Sequence, residues 1–524
     1  MQKILKPVHI SWLQHAKQKG DYASCDISTG IKIERDKFLI GVLLFADVIK
    51  KTSPEQNIGL MVPSSTGGAI TTMSVLSLGK TAVNLNFTAG KKSLQDAAQQ
   101  ADLKTLYTSK KLVIKLLEKK IDIINFFPNL NIIYLEEVKE SISILKKIKF
   151  LFLSKILSAK SIEKFLFNKV DGNDTAAILF SSGSEGSPKG IELSHNNLSA
   201  NARQAAIVLN TQPGKDVMMS TLPTFHSFGF LATTLMPLAE GVPIACHPDP
   251  TDVVAIAKGI EKFKGSILIG TPTFLRMYSL NKRIKPQMLS SLRLVVSGAE
   301  KLKQETAEDF QKKFNKTIYQ GYGATETSPA AGINTPAANK SGTVGKPLTD
   351  TQYKIVDIDT LKELPIEEDG LILIGGPQVM KGYLKQPDKT RQVITMINGI
   401  RWYNTGDKGH LDNDGFLTIV DRYSRFAKIG GEMVSLSALE EQIQHSMHNA
   451  EMELLSVVVS DAKKGEKIVL LVTEDIQMED IKKALLADNI SALMHPSKII
   501  KVDEIPKLGS GKTDFGTAKK IVEV

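Results

Sequence analysis

Cysteine is nearly absent: Cys25 and Cys246 are the two in 524 residues, far apart and outside any C-x-x-C or Cys/His cluster. That scarcity excludes a disulfide framework and a structural zinc site, and both residues read as small buried side chains rather than nucleophiles. Long apolar runs are also missing. Nothing approaches the ~20 residues that cross a bilayer. The opening MQKILKPVHISWLQHAKQKG is broken by Pro7, His9 and repeated lysines, so it lacks the apolar centre of a secretory signal. The expected compartment is the cytoplasm, with peripheral contact at the inner face of a membrane as the alternative. No helix-turn-helix, zinc-finger or RNP pattern occurs, which argues against nucleic acid as a partner.

What is present is a chain too long for one hydrophobic core, so two or more domains are expected. The net charge of +10 calls for an anionic partner, for which a nucleotide, an acidic protein or anionic lipid would serve. Short β-branched runs (NIGLMVP, TAAILFSS, SILIGTP, LRLVVSGAE, NKTIYQGYG) alternate with helical patterns, and each opens into Gly, Ser, Thr or Pro. Buried parallel strands with chemistry in the loops at their carboxyl ends look like this. After about Pro347 the strands become shorter and turn-separated (QYKIVDID, GLILIGG, GFLTIVDR), with DNDG as a tight turn. From about Arg422 a small α+β unit is expected, with DRYSRFAKIGGE as its hinge. The fold class is therefore α/β: parallel-rich sheets and a β-barrel-like part over residues 1–421, then a small α+β domain over 422–524.

Residues 141–170 carry seven lysines and a single acid among large apolar side chains. This pattern suits either a surface helix whose apolar stripe faces its own core or an interfacial helix drawn to anionic lipid. The first reading is favoured, because spacing alone discriminates poorly between a core and a membrane.

The strongest chemical signal is AAILFSSGSEGSPKGIELSH, residues 176–195. An apolar strand ends in a loop of Ser181, Ser182, Gly183, Ser184, Glu185, Gly186 and Ser187, followed by Lys189 and Gly190. Glycines let backbone N–H groups crowd an anion, hydroxyls add donors, and the lysine offsets phosphate charge. A second candidate, GSGKT at 509–513, has Pro506 where a P-loop requires its first glycine. It reads instead as a Gly-flanked arm carrying one charge, Lys512.

The loop SSGSEGSPKG resembles the phosphate-binding motif of the adenylate-forming (AMP-binding) superfamily. LPTFHSFG, GTPTFLR, SGAEKL, YGATETSP, WYNTGD, DRYSRFAKIGGEMVS and LGSGKTDF follow in that family's order. The phrases LNFTAG, FSSGSEG, GYGATE and RFAKIGGEMVSL, with Glu185 where most of the superfamily has Thr, look like its acyl-carrier-protein synthetase branch. Bifunctional members of that branch also carry a 2-acylglycerophosphoethanolamine acyltransferase domain.

The resemblance implies a large adenylation domain and a mobile C-terminal one, ATP with Mg²⁺, a fatty acid, and acyl carrier protein or CoA as thiol acceptor. It implies that Ser181 to Lys189 hold the β- and γ-phosphates, that Thr325 contacts the α-phosphate, and that Glu326 helps bind the metal. Gly298, Ala299, Glu300 and Tyr322 would form the adenine pocket, Asp407 would take the ribose, and Arg422 would add a contact from the hinge. Lys512 would be the adenylation lysine. The segment around Lys428, Gly430 and Gly431 would meet the thiol donor, and His226 would stand near the acyl pocket. Ser424 departs from the family's hinge residue, usually Asp or Lys. His247 and Asp252 in HPDPTD match the acyltransferase spacing but sit in a Pro-rich turn within the synthetase motifs, so any lysophospholipid acylation is assigned to a separate polypeptide. A fold of this type that binds nucleotide or lipid without turnover is the alternative of another class.

Overall fold

The computed structural model describes residues 5–18, 20, 22–181, 188–429, 432–449, 451–461, 465–488, 490–491, 494–507 and 513–523. The apolar runs picked out in the sequence become parallel strands of two large sheets. In a seven-stranded sheet, Thr175–Ser181, Thr81–Asn84, Asn57–Met61, Thr105–Thr108 and Asn131–Tyr134 lie parallel side by side. Lys189–Ser194 and Gly382–Tyr383 extend it antiparallel at one edge. A nine-stranded sheet holds Ile318–Gly323, Leu294–Ser297, Ile267–Gly270, Met218–Ser220, Ile244–Cys246 and Tyr22–Asp26 as its parallel centre. Leu294–Ser297 and Ile267–Gly270 are buried at every position, as strands covered by helices on both faces must be.

The turn-separated region is an antiparallel sheet of five strands. Its long Ile400–Leu411 strand pairs Ile394–Ile397 along its first half and Leu417–Arg422 along its second. The chain then changes sheet: Tyr423–Arg425 is a single 3₁₀ turn, and Phe426–Ile429 enters a last five-stranded sheet with its own apolar core. The expected helices of this last part are Leu436–Ser446 and Met478–Ala487. Cys25 and Cys246 are both buried and unpaired with each other, and burial pushes the Cys25 thiol up to about 12.

One expectation is overturned. The Ile144–Ile156 helix does not turn its main apolar stripe inward. Phe150 and Ser154 are its buried residues, and Lys146 on that side reaches Asp47 at 2.9 Å. Ile144, Leu145, Ile148, Leu151, Phe152 and Ile156 point to solvent. Periodicity reports that a stripe exists, not which side of the helix docks, and here the docking side is the one with the ion pair to the Arg35–Thr52 helix. Among the described residues, no helix is long and apolar enough to cross a membrane.

Candidate active site

The chemistry-bearing loops all leave the carboxyl ends of parallel strands, where open α/β sheets expose backbone donors. The Thr175–Ser181 strand delivers Ser181, and the returning strand sets Lys189 opposite it in register. Ser182, Gly183, Ser184, Glu185 and Gly186, between them, lie outside the described residues. Lys189 holds its ammonium 5.7 Å from the ring centroid of Tyr383, whose hydroxyl donates to Glu326 Oε1 at 2.9 Å. Burial first, and the Glu326 carboxylate second, raise the Tyr383 hydroxyl far above the ordinary tyrosine value, so it remains a donor at neutral pH.

Thr325 and Glu326 form a 3₁₀ turn directly after the Ile318–Gly323 strand. Thr325 Oγ1 lies 3.0 Å from Ser227 Oγ, which joins this turn to the FHSFG segment. That segment is tightly folded: a Cβ at Gly229 would fall 2.1 Å from the Pro223 carbonyl oxygen, so only glycine fits. The Leu294–Ser297 strand ends at Gly298, where a Cβ would stand 2.9 Å from the Phe228 ring. Ala299 follows with φ +75°, a left-handed conformation that alanine rarely adopts. Glu300 accepts from Thr273 Oγ1 at 3.1 Å. Thr273 is positioned by the Pro272–Leu280 helix, which Thr271 caps and Pro272 starts.

Asp407 and Arg422 face one another across an antiparallel ladder, with Arg422 Nε 2.9 Å from Asp407 Oδ1. Asp407 is buried while most of the Arg422 side chain is exposed, and the carboxylate raises the guanidinium pKa further. The Tyr322 hydroxyl donates to Asp407 Oδ2. Burial, then Asp407, hold that hydroxyl well above the tyrosine range. Tyr403 is buried among the same groups. Burial raises it, and Glu326, Tyr383, Tyr322 and Asp407 add to the effect. Buried Tyr383 and Tyr403 and half-buried Tyr322 thus lie between the Lys189–Glu326 end of the site and the Asp407–Arg422 end.

Of the residues named from the sequence, Ser181, Lys189, Gly298, Ala299, Glu300, Tyr322, Thr325, Glu326, Asp407 and Arg422 all lie on these strand-end loops or on the ladder beside them. Half-buried His226 sets its ring centroid 4.6 Å from that of Phe225 at a tilt of 57°, and Phe225 in turn meets Phe87 of LNFTAG edge-on at 4.8 Å. Lys428 lies in the first strand of the last sheet, and Ser424 in the turn before it. Gly430, Gly431 and Lys512 lie outside the described residues. The arm's flanks are drawn together by a bridge between Lys507 and Thr513 and by the Asp514 N–H donating to the Pro506 carbonyl at 2.8 Å. His247 is buried with Nδ1 2.9 Å from the Asp249 carbonyl, and Asp252 caps the Val253–Phe263 helix through the Ala255 N–H at 3.1 Å. The two side chains also approach one another, His247 Nε2 lying 3.8 Å from Asp252 Oδ2, while each has a local role in a turn and in a helix cap.

Tyr383, Tyr403, Ser227 and Thr273 went unassigned from sequence. Three of them were within quoted motifs, WYNTGD, FHSFG and GTPTFLR. Tyr383, in KGYLK, had no signal of its own. Among the described residues no group of three or more His, Cys, Asp or Glu side chains could hold a metal by itself. Glu326 beside the Thr325 hydroxyl is the donor set of a hard divalent ion carried largely by phosphate oxygens and water, so the residues fit Mg²⁺ in that form.

Comparison with known proteins gives consistent results. The chain is 33% identical over 355 residues to 4-coumarate–CoA ligase 2 of Petroselinum crispum, covering 66% of this chain and 64% of that protein. It is 29% identical over 344 residues to the long-chain-fatty-acid–CoA ligase of Escherichia coli O6:H1, covering 65% of this chain and 60% of that one. The matched stretch is therefore less than two thirds of either relative's length. ATP-bound MatB from Rhodopseudomonas palustris superposes with a TM-score of 0.81 at 21% identity, over 99% of both chains. O-succinylbenzoate coenzyme A synthetase from Bacillus subtilis, in complex with AMP, gives 0.78 at 21% identity over 97% of both. Both superpositions establish the fold, including its small C-terminal part. The family model described as AMP-binding enzyme matches residues 16–384. That span contains the serine-rich loop, the Thr325–Glu326 turn and Tyr383, so the chain belongs to the AMP-binding enzyme family.

Proposed function

We propose that the chain is an ATP-dependent acid–thiol ligase that activates a fatty acid as its acyl-adenylate and passes the acyl group to a phosphopantetheine thiol. The carboxylate oxygen attacks the α-phosphorus of ATP, the α–β bridge breaks, and pyrophosphate leaves. The thiolate then attacks the acyl carbon and expels AMP. The observation carrying this reading is the pair of contact sets Lys189–Tyr383–Glu326 and Tyr322–Asp407–Arg422 with buried Tyr403 among the groups of both, which supports an anion-holding end beside a hydroxyl-accepting end.

In this reading the loop from Ser181 to Lys189 holds the β- and γ-phosphates, and Thr325 donates to the α-phosphate. Glu326, oriented by Tyr383, would help hold Mg²⁺, which when bound would offset charge on an anion attacked by an anion. Gly298, Ala299 and Glu300 line the adenine side with Tyr322. Buried Asp407 accepts from the ribose hydroxyls, and Arg422 limits its charge. Residues 422–524 act as a mobile domain that brings Lys512 to the α-phosphate for adenylation and the Lys428 to Gly431 segment to the thiol afterwards. His226 stands near the acyl entrance.

Acyl carrier protein is the acceptor favoured by the FSSGSEG, GYGATE and RFAKIGGEMVSL phrases and by the net positive charge, since carrier proteins are acidic. CoA is the second acceptor, supported by the relatives named as CoA ligases. The test is fatty-acid-dependent exchange of labelled pyrophosphate into ATP across chain lengths, followed by both acceptors offered together. Thioester on acyl carrier protein is the expected result, and thioester on CoA alone would reject that acceptor. Absence of exchange at every chain length would reduce the chain to a nucleotide- or lipid-binding protein without turnover.

A further inference from the structure

The outward face of the Ile144–Ile156 helix has no role in the site described above. Six large apolar side chains there, Ile144, Leu145, Ile148, Leu151, Phe152 and Ile156, are between 40% and 80% exposed. At 100° per residue they form one arc about 140° wide, opposite the buried Phe150. Isolated exposed apolar residues are ordinary on a protein surface, but a continuous stripe along three turns of one helix is not.

Charge decides what covers it. Lys147 and Lys149 fall on opposite margins of the arc and Lys155 lies within it near the carboxyl end, all three exposed. The following Ala159–Leu166 helix adds exposed Phe165, with Lys160 and Lys164 against the single acid Glu163. Lys146 alone is turned inward, to Asp47. A second copy of this face would bring two such lysine margins together, which is repulsive. A partner offering both apolar depth and negative charge is complementary to both features. Lysine stems of this length can lie along apolar surface while their ammonium groups reach an anionic plane.

We propose that this helix is a monotopic membrane-binding element that lies in the plane of an anionic lipid surface. Its apolar arc enters the acyl boundary, and Lys147, Lys149 and Lys155 sit at headgroup level. At 13 residues it lies on a bilayer and does not span one.

The test is co-sedimentation of the full chain with vesicles of phosphatidylcholine containing phosphatidylglycerol, against vesicles of phosphatidylcholine alone. Binding is expected to the anionic vesicles and to weaken as salt is raised. Leu145→Asp with Phe152→Asp should abolish it, and Lys147→Glu with Lys149→Glu should weaken it by about tenfold or more. Both variants alter exposed side chains, so their urea unfolding midpoints should match that of the parent, which separates lost binding from lost folding. Failure to bind either vesicle, or binding that survives both pairs of substitutions, overturns the proposal. So does a parent dimer in solution that the Leu145→Asp, Phe152→Asp variant dissociates, since the face would then belong to a second copy.

Discussion

Tyr383 meets opposite charges through two different parts of one side chain. Its ring faces the Lys189 ammonium, and its hydroxyl donates to Glu326. Tyr383→Phe keeps the ring and deletes the donor to a carboxylate, a bond worth about 1.5–3 kcal/mol when one partner is charged. Exchange of pyrophosphate into ATP should therefore fall by about ten- to a hundredfold in kcat/KM for MgATP. Tyr383→Ala should fall further, because Lys189 loses its aromatic face as well. Equal activity in the Phe and parent proteins would remove the positioning role. None of this was legible in KGYLK, where the tyrosine is one aromatic among polar neighbours. Its place is set by the pairing of Gly382–Tyr383 with Lys189–Ser194, two segments far apart in sequence. Asp407 and Arg422 were legible as members of motifs, yet their direct pairing across the ladder was not.

At the level of elements, the strands were read well because each apolar run has one physical solution, burial between helices. The turn chemistry of Gly, Ser and Thr at their ends pointed to the loops now gathered around Thr325 and Glu326. The Ile144–Ile156 helix failed because a helix with apolar residues on both sides offers two docking faces. Another packing event hidden in the sequence is the meeting of His9, from the Val8–Ala16 helix, with His195, which begins the His195–Val208 helix. Their ring centroids are 5.4 Å apart, both side chains are fully buried, and none of the four ring nitrogens has a hydrogen-bond partner among the described residues. Burial depresses both, His195 to about 4. The unfolded chain therefore binds protons below the ordinary histidine value near 6.5 that the folded chain refuses. Stability is complete above that value and is lost as pH falls toward about 4. For His195 alone the loss between pH ~7.5 and ~5 amounts to about 2 kcal/mol. Urea midpoints at those two pH values should converge in His195→Leu relative to the parent; an unchanged gap would mean that His195 is already protonated in the folded chain.

At the scale of the whole molecule, the described contacts between residues 1–421 and the last sheet with its helices include exposed ion pairs and the buried Asp421 carboxylate, which accepts from Ser435 Oγ at 2.6 Å and Ser437 Oγ at 3.0 Å. Lys301 reaches Glu441 of the Leu436–Ser446 helix at 2.5 Å, and Arg276 pairs with Glu451, which precedes the Leu454–Asp461 strand. Ion pairs this exposed contribute about 1 kcal/mol or less. The single turn at Tyr423–Arg425, with exposed Ser424 at its centre, is the covalent connection. In the proposed function, residues 422–524 change orientation between the two half reactions, and that proposal makes the part played by Lys512 separable from the rest of the site. On that proposal its ammonium acts while negative charge builds between the attacking carboxylate and the α-phosphate, and has no part when a thiolate displaces AMP from a finished adenylate. Lys512→Ala should accordingly lose fatty-acid-dependent pyrophosphate exchange by a factor on the order of 10² or more, as for removal of a transition-state donor. Thioester formation from supplied acyl-adenylate should remain close to the parent rate. Glu326→Gln, at the residue proposed to hold Mg²⁺, should share the first loss. Parallel loss of both half reactions in Lys512→Ala would instead place that lysine in the folding or docking of the last domain, and the proposed division of labour between residues 1–421 and 422–524 would have to be abandoned.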